Sequence, residues 1–425
     1  MKAISLFACG GVGDLGMRAA GMEVLVANEI DKSRAEIFKT NYPESEMIVG
    51  DIWECTDLIV KTALHKNNYL PLDIVLATPP CQGMSKNGRG KLLSLIRNGE
   101  RPEIDQRNRL IIPTIDIFKK SGAHTLIMEN VPEMASTFIS NPKIHGELIN
   151  IIDYIKEELG AEFCYDIKVV DFANYGVPQN RSRLISVFTK KDTLKKEISE
   201  KGTVFPEETH DRDGLLKKKW VSVRDSISHT PPLDAKDKTT SVCEEIPYHR
   251  VPILDKDKYL WVSNTPALKS AFDNQCINPD CLFSGNPVHG SKSNEDGINR
   301  SNSDTPIRCI KCNSILPRPW VFDGNDYRIM KGYTSAYKRM DWDKPSGTLT
   351  LNLSYACSDK KIHPSQNRVL SLFEAMILHT IDKYEFSLLR ADGIKVRDKL
   401  VRELIGESIP PYGMQVIAEY LFSKM

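Results

Sequence analysis

The sequence has almost no net charge, no long apolar run and no internal repeat. Its 57 basic and 56 acidic side chains give a net charge of +1, which excludes an overall positive field for nucleic acid. No apolar run approaches the roughly 18 residues of a membrane span, and residues 1–8 begin a strand, not a signal peptide. Ten irregularly spaced cysteines predict reduced thiols or metal ligands in a cytosolic or nuclear protein.

Short apolar runs alternate with helical spacing in the first 190 residues. The apolar runs lie at 2–8, 23–31, 47–52, 73–78 and 124–131. This alternation predicts an α/β fold with a largely parallel, doubly wound sheet. Functional residues of such sheets collect at the carboxyl ends of the strands. The residues at those ends are Gly10, Gly11, Glu29, Asp51, Cys81 and Glu129.

The chain changes character after residue 190. Residues 191–343 are rich in Lys, Asp, Asn, Ser and Pro and have weak periodicity, whereas helical spacing returns within 344–425. We therefore predict a catalytic domain at 1–190, a smaller irregular domain at 191–343, and a return to the catalytic domain at 344–425. Helices are expected at 144–160, 368–379 and 410–424.

The glycine-rich stretch LFACGGVG (6–13) follows a predicted strand and opens a helix. Its glycines allow close approach to a ligand, although such a turn alone is weak evidence. Glu29 can accept hydrogen bonds from ribose hydroxyls, and Asp51 from an adenine amino group. No lysine follows in a phosphate-loop pattern. An adenosine without a polyphosphate is favoured, and S-adenosylmethionine fits that description.

The stretch TPPCQGMS (78–85) places two prolines directly before Cys81. A rigid corner suits a thiol that must attack a substrate, although such a corner alone is more often structural. The following residues, 82–108, contain glycines and several basic side chains. They fit either a solvated loop or a lid that closes on phosphates.

Together these motifs resemble the cytosine-5 DNA methyltransferase family. The match runs in the family's order over about two-thirds of the chain. It includes PPCQG (79–83), ENV (129–131), YGVPQNRSR (175–183), KPSGTLT (344–350) and IGESIPP (405–411). The resemblance implies a Rossmann-like S-adenosylmethionine methyltransferase sheet domain, with residues 191–343 as the target-recognition domain.

The resemblance also implies a reaction. The methyl group of S-adenosylmethionine would pass to carbon 5 of a flipped-out cytosine in double-stranded DNA, through a covalent adduct with Cys81. Glu129 would meet the N3 edge of the base, and Arg181 and Arg183 would position the base and the catalytic groups. Phe7 would pack on the adenine. The remaining cofactor contacts implied are Gly10, Gly11, Glu29, Ile30, Asp51, Ile52 and Pro79.

Three residues depart from the family pattern near the cofactor. Cys9 and Val12 stand where glycines are usual, and Glu407 stands where asparagine is usual. Glu407 brings a negative charge to the methionine end of the cofactor, which puts the usual contact there in question. The thiol, the catalytic carboxyl and the arginine pair are all kept, so activity is expected.

Four cysteines of the irregular domain have the spacing of a metal site. Cys276 and Cys281 form one close pair, and Cys309 and Cys312 form a second, within an insert at about 274–315. Two such pairs suit a tetrahedral structural zinc, the alternative being free thiols in a loop. The basic residues expected to reach phosphates or guanine edges are Lys292, Arg300, Arg308, Lys311 and Arg318.

The resemblance suggests a cytoplasmic bacterial enzyme of restriction–modification or related defence, with a cognate restriction system as a possible partner. One alternative is a transfer RNA cytosine-5 methyltransferase, since one branch of the family keeps the same motifs. Another is a non-catalytic DNA-binding relative. The large cysteine-bearing insert favours DNA over transfer RNA, and the intact catalytic groups favour an enzyme.

Overall fold

The computed structural model describes residues 1–80, 106–288, 291–293, 299–301, 305–330, 335–390 and 392–425. Its first nine strands are β1 (Lys2–Leu6), β2 (Glu23–Glu29), β3 (Glu46–Val49), β4 (Ile74–Ala77), β5 (Thr125–Asn130), β6 (Phe138–Ser140), β7 (Leu148–Asn150), β8 (Cys164–Asp171) and β9 (Ser182–Thr189). Six short strands follow: β10 (His210–Asp211), β11 (Lys218–Lys219), β12 (Ser291–Ser293), β13 (Asn299–Ser301), β14 (Trp320–Phe322) and β15 (Tyr327–Ile329).

Helices occur along most of the chain. The first six are α1 (Val12–Ala19), α2 (Lys32–Asn41), α3 (Ile52–Lys66), α4 (Ile111–Lys120), α5 (Ile151–Leu159) and α6 (Asp192–Lys201). The later ones are α7 (Val223–Ile227), α8 (Lys256–Ser263), α9 (Leu372–Leu378), α10 (Asp398–Glu407) and α11 (Pro411–Ser423). In the described parts of the chain, no helix is both long and apolar enough to cross a membrane.

A seven-stranded sheet forms the centre of the fold, in the order β3-β2-β1-β4-β5-β9-β8. The first five strands in this order are parallel, whereas β9 runs antiparallel to both β5 and β8. Leu6 pairs with both Asn28 and Ala77, so β1, β2 and β4 end at one edge. The predicted α/β fold with a mostly parallel sheet is confirmed.

The central strands are apolar because both faces of the sheet are covered. Every residue of β4, with the sequence IVLA, is buried. One face packs against α3, α4 and α5, and the other packs against α1 and α11. The terminal helix predicted at 410–424 therefore completes the first domain's core, as Pro411–Ser423.

The helix predicted at 144–160 is shorter in the structure. It begins at Ile151, because the Asn150 side chain accepts a hydrogen bond from the Ile152 backbone N–H at 2.8 Å and caps it. Leu148–Asn150 instead pairs with Phe138–Ser140 as a small antiparallel ribbon. Apolar residues before the cap, such as Leu148, imitate helical spacing without belonging to the helix.

The irregular part of the chain has a separate small core. It is built around Trp261, Phe272 and Tyr337, whose rings meet edge to face. A further apolar group joins this part to the sheet domain, because Val223 and Ile227 of the irregular part lie in one cluster with Val12 and Leu404. The domain boundaries at 190 and 343 stay a prediction.

Candidate active site

The glycine turn is held from both sides at the carboxyl edge of the sheet. Phe7 and Cys9 have left-handed backbone angles, with φ of 59° and 51°, which is unusual for residues with side chains. The Thr78 hydroxyl donates to the Phe7 carbonyl at 3.2 Å, and the Ala8 N–H donates to the Asn28 carbonyl at 3.0 Å. The surrounding strands thus impose a strained backbone on the turn, as functional loops often require.

Gly11 starts α1 with φ of 83°, a conformation that favours glycine. A Cβ atom at this position would collide with the Tyr42 ring, whose hydroxyl donates to the Gly11 carbonyl at 2.7 Å. A Cβ atom at Gly10 would lie 2.5 Å from a methyl carbon of Leu404. Gly11 is therefore required by its backbone angle and by the Tyr42 ring, whereas Gly10 packs closely against a side chain that can move.

Glu29 ends β2 directly beside the turn. Its Oε2 accepts from the Cys9 backbone N–H at 2.9 Å, and its Oε1 accepts from the Asp31 N–H at 2.9 Å. Burial raises the pKa of the Glu29 carboxyl, although these N–H groups and Arg34 oppose the change. Glu29 shapes the turn in addition to its predicted contact with a ribose.

Three further predicted cofactor contacts lie at the ends of β2 and β3. Ile30 follows Glu29 and is 67% exposed, so an apolar surface is presented at the strand ends. Asp51 caps α3 by accepting from the Trp53 N–H at 3.0 Å, and Ile52 behind it is buried. Glycines, strand-end acids and an exposed apolar side chain are the groups that an adenosine with a short tail needs. The residues present therefore fit S-adenosylmethionine.

The corner before the predicted nucleophile is fixed by Asn130. This side chain is 2% exposed, donates to the Pro79 carbonyl at 3.0 Å, and accepts from the Val131 N–H at 2.8 Å. Strand β5 thereby holds the backbone that leads into position 81. Cys81 lies outside the described residues, as does the predicted closing loop up to residue 105.

Glu129 and Arg183 form a buried ion pair at the same edge. The Arg183 Nε lies 2.8 Å from the Glu129 Oε1, and the two side chains are 13% and 9% exposed. Glu129 is opposite Ile185 in the β5–β9 ladder, so Arg183 is its diagonal neighbour on one face. Burial raises the pKa of the Glu129 carboxyl, and the charges of Arg183 and Arg181 only partly oppose this.

Arg181 has a different environment from Arg183. It is 1% exposed, and its guanidinium donates to the Leu349 carbonyl at 2.9 Å and to the Gly406 carbonyl at 2.8 Å. These carbonyls belong to the KPSGTLT and IGESIPP motifs, which are far apart in sequence. The contacts tie three motifs together behind Glu129, so Arg181 acts here as a brace.

A second buried network runs beside Arg181. The Gln179 amide donates to the His379 Nδ1 at 3.1 Å and to the Leu378 carbonyl at 3.3 Å. The His379 Nε2 lies 3.0 Å from the Ser408 hydroxyl. Burial, together with Arg181 and Arg183, keeps the pKa of His379 well below its usual range. The imidazole is therefore neutral, with Nδ1 as acceptor and Nε2 as donor.

The four predicted metal ligands come together in the irregular domain. The Sγ atoms of Cys276 and Cys312 are 3.6 Å apart, those of Cys281 and Cys309 are 3.9 Å apart, and all four lie within 4.8 Å of one another. A tetrahedral zinc with bonds of about 2.3 Å requires sulfur atoms about 3.8 Å apart. The donor set and its spacing fit that ion.

The environment of Arg318 contradicts its expected contact with DNA. The prediction for Arg318 was wrong, because it is fully buried and donates to the Asn274 and Pro306 carbonyls at 2.8 Å each. Lys311 is exposed, and Arg308 pairs with Asp326 at 3.2 Å. The side chains of Lys292 and Arg300 are outside the described structure.

Sequence reasoning missed the residues that support the site. The four most informative are Asn130, Gln179, His379 and Ser408. Three of them lie inside quoted motifs, ENV, YGVPQNRSR and IGESIPP, so the motif letters were the available signal. His379 had no such signal, because only the fold brings it to Gln179.

Comparisons with known proteins agree with the observed fold and with the motifs of the sequence. The family model described as C-5 cytosine-specific DNA methylase matches residues 1–423. The type II methyltransferase M1.HgaI of Avibacterium volantium is 27% identical over 99% of this chain and 98% of its own length. M.AquIA of Picosynechococcus sp., also a type II methyltransferase, is 31% identical over 54% of this chain and 89% of its own length. The S. pombe Dnmt2 methyltransferase structure gives a TM-score of 0.53 at 11% identity, covering 100% of this chain and 98% of that chain, which shows the fold alone.

Proposed function

Because this chain belongs to the C-5 cytosine-specific DNA methylase family, we propose that it methylates carbon 5 of a cytosine flipped out of duplex DNA, through a covalent adduct with Cys81. The observation that carries this proposal is the buried Glu129–Arg183 pair beside the corner that leads to Cys81. We also propose a role in type II restriction–modification, which the names of the curated relatives support.

The thiolate of Cys81 adds to carbon 6 of the base and breaks its aromaticity, which makes carbon 5 nucleophilic. Bound S-adenosylmethionine supplies an electrophilic methyl group to that carbon. Removal of the carbon-5 proton and expulsion of the thiolate restore the ring. A rigid corner helps because the attacking sulfur must be held in line with carbon 6.

Glu129 assists the addition as a protonated carboxyl that donates to N3 of the base. Burial raises the pKa of this carboxyl against the charge of Arg183, which makes its protonation easier when the base is bound. Arg183 engages Oε1, so Oε2 is the oxygen available to the base edge. Arg181 positions this pair through the backbone of two other motifs and does not itself touch the base.

The cofactor would be held by the glycine turn and the strand-end groups around it. Glu29 and Asp51 would accept hydrogen bonds from the ribose hydroxyls and the adenine amino group, and Phe7 and Ile30 would pack against the adenine ring. The exposed position of Ile30 supports this assignment, because covering an apolar side chain with a ligand ring removes apolar surface from water, which is favourable. Pro79 borders the reacting end of the cofactor.

Trapping on a mechanism-based substrate tests the reaction. Bisulfite sequencing of DNA from an expressing host first identifies the methylated word. A duplex with 5-fluorocytosine at that position is then expected to form a covalent complex with the wild type and with Cys357→Ser, a control at an exposed cysteine. Cys81→Ser is expected to form none. A complex that survives Cys81→Ser, or methylation of transfer RNA in preference to duplex DNA, refutes the assignment.

We further propose that the four cysteines hold one structural zinc. Apart from the cysteines, the apolar cluster around them contains Leu316 and Phe283, and so small a core gives little hydrophobic stabilisation to the segment. The Asn278 amide donates to the Ser314 hydroxyl at 3.0 Å and so joins the two cysteine pairs. The ion would brace the target-recognition domain by linking two distant turns.

Metal analysis after dialysis tests this site. One equivalent of zinc is expected in the wild type and in Cys357→Ser, and less than half an equivalent in Cys309→Ser. Equal, substoichiometric zinc in all three proteins contradicts the proposal.

A further inference from the structure

Helices α2 and α10 meet directly over the glycine turn. Gly10 lies between the two, since a Cβ atom there would be 2.5 Å from Leu404 and 3.4 Å from Ile37. Arg34 is one turn before Ile37, and Glu407 is nearly one turn after Leu404. Helix α2 begins after β2 at the carboxyl edge, so these two charged residues stand at the open edge of the turn.

Arg34 is the cation of a small charged group at this edge. Its Nη1 lies 2.7 Å from the Glu407 Oε2, and its Nη2 lies 3.4 Å from the Glu403 Oε2. The Arg34, Glu403 and Glu407 side chains are between 21% and 28% exposed. Burial, with the carboxylates of Glu29 and Glu407, raises the pKa of Cys9 to about 12 although Arg34 opposes this, so the thiol is uncharged at neutral pH.

The three carboxyl groups around Arg34 are not equally available. Both oxygens of Glu29 accept backbone N–H groups, and Glu403 also lies 3.7 Å from Lys399. Arg34 takes Oε2 of Glu407, and within the described residues Oε1 has no partner. Three carboxyl groups face the two cations Arg34 and Lys399, so this edge has an excess of negative charge.

We propose that Glu407 binds the α-ammonium group of the cofactor's amino-acid end, and that Arg34 is the positioning residue that holds its carboxylate there. This inference rests on the proposed function and assigns one subsite within it. An ammonium needs an anionic acceptor fixed close to the turn, and Glu407 is the one with a free oxygen. The pair also explains how the chain tolerates a carboxylate at this position, because Arg34 balances its charge.

Two ligands separate this role from a structural ion pair. S-adenosylhomocysteine has the amino group, and 5′-S-(3-carboxypropyl)-5′-thioadenosine is the same molecule without it. In titration calorimetry, Glu407→Gln is expected to raise the dissociation constant of S-adenosylhomocysteine about 10- to 100-fold, which is the usual effect of losing one charge-assisted hydrogen bond. The deaminated ligand should bind the wild type and this variant within about twofold.

Two further variants make the outcome decisive. Glu403→Gln removes the other carboxylate near Arg34 and is expected to leave both affinities unchanged. The double variant Arg34→Glu with Glu407→Arg reverses the ion pair. Its melting temperature should therefore be close to that of the wild type, whereas it should bind S-adenosylhomocysteine no more tightly than the deaminated ligand. If the reversed pair restores the preference for the amino group, or if Glu407→Gln weakens both ligands equally, the inference is wrong. Failure of the wild type to bind either ligand instead refutes the proposed cofactor.

Discussion

Asn130→Ala is expected to slow the covalent step without unfolding the protein. The substitution leaves the Pro79 carbonyl without its donor and the Val131 N–H without its acceptor. A buried polar group without a partner costs about 1–3 kcal/mol, so the free energy of unfolding in urea should fall by that amount. Release of the corner lets Cys81 shift relative to the base, and a displacement of about 1 Å costs on the order of 100-fold in rate.

Asn150→Ala is the matched control for this effect. The Asn150 side chain also donates to a backbone carbonyl, that of Ala135 at 2.9 Å, and accepts from the Ile152 N–H at 2.8 Å. It lies on a partly exposed cap away from the catalytic corner, so a smaller loss of stability and an unchanged rate are expected. The assay is the rate of adduct formation with the 5-fluorocytosine duplex. Rates for the two variants within about twofold of each other would refute the positioning role of Asn130.

Three other perturbations test separate parts of the fold. Burial raises the pKa of Asp14 to about 7 from 3.8, so its contribution to stability is complete below about pH 4 and is lost as the pH rises through about 7. At about 1.4 kcal/mol for each pH unit the loss is about 4 kcal/mol, and Asp14→Asn should therefore raise the melting temperature more at pH 8 than at pH 4. Arg181→Lys should lower the free energy of unfolding by about 2 kcal/mol or more through lost carbonyl contacts, whereas Arg183→Lys should mainly lower kcat; equal losses of stability would contradict their different roles. Chelation of zinc should lower the thermal stability of the wild type but not of Cys309→Ser, and equal shifts in both would exclude a metal effect.

The sequence alone predicted the structure correctly where a local pattern is compatible with only one kind of structure. Alternating apolar runs and helices predicted a parallel sheet, and the motif order predicted the family. Pairs of closely spaced cysteines predicted a four-sulfur cluster, because a short turn is enough to bring the two members of each pair close together. Helix α11 was predicted nearly to the residue by its apolar face and leading prolines.

Local patterns failed where distant contacts decide the outcome. Helix α5 begins seven residues later than its apolar spacing suggested, because Leu148–Asn150 pairs with Phe138–Ser140 as a strand. Arg318 was taken for a DNA contact from its charge alone, yet its guanidinium is buried against backbone carbonyls. A sequence gives the charge of an arginine but not which carbonyls surround it.

The sequence by itself determined which chemical groups the protein has at its strand ends: a thiol after two prolines, a carboxyl, two arginines and a glycine turn. Only the tertiary structure decided which role each of those groups has. Arg181 and Arg183 are two residues apart and chemically identical, yet one braces Leu349 and Gly406 while the other pairs with Glu129. The physical reason is that a guanidinium's role depends on the acceptors that surround it, and here those acceptors come from parts of the chain more than 50 residues away.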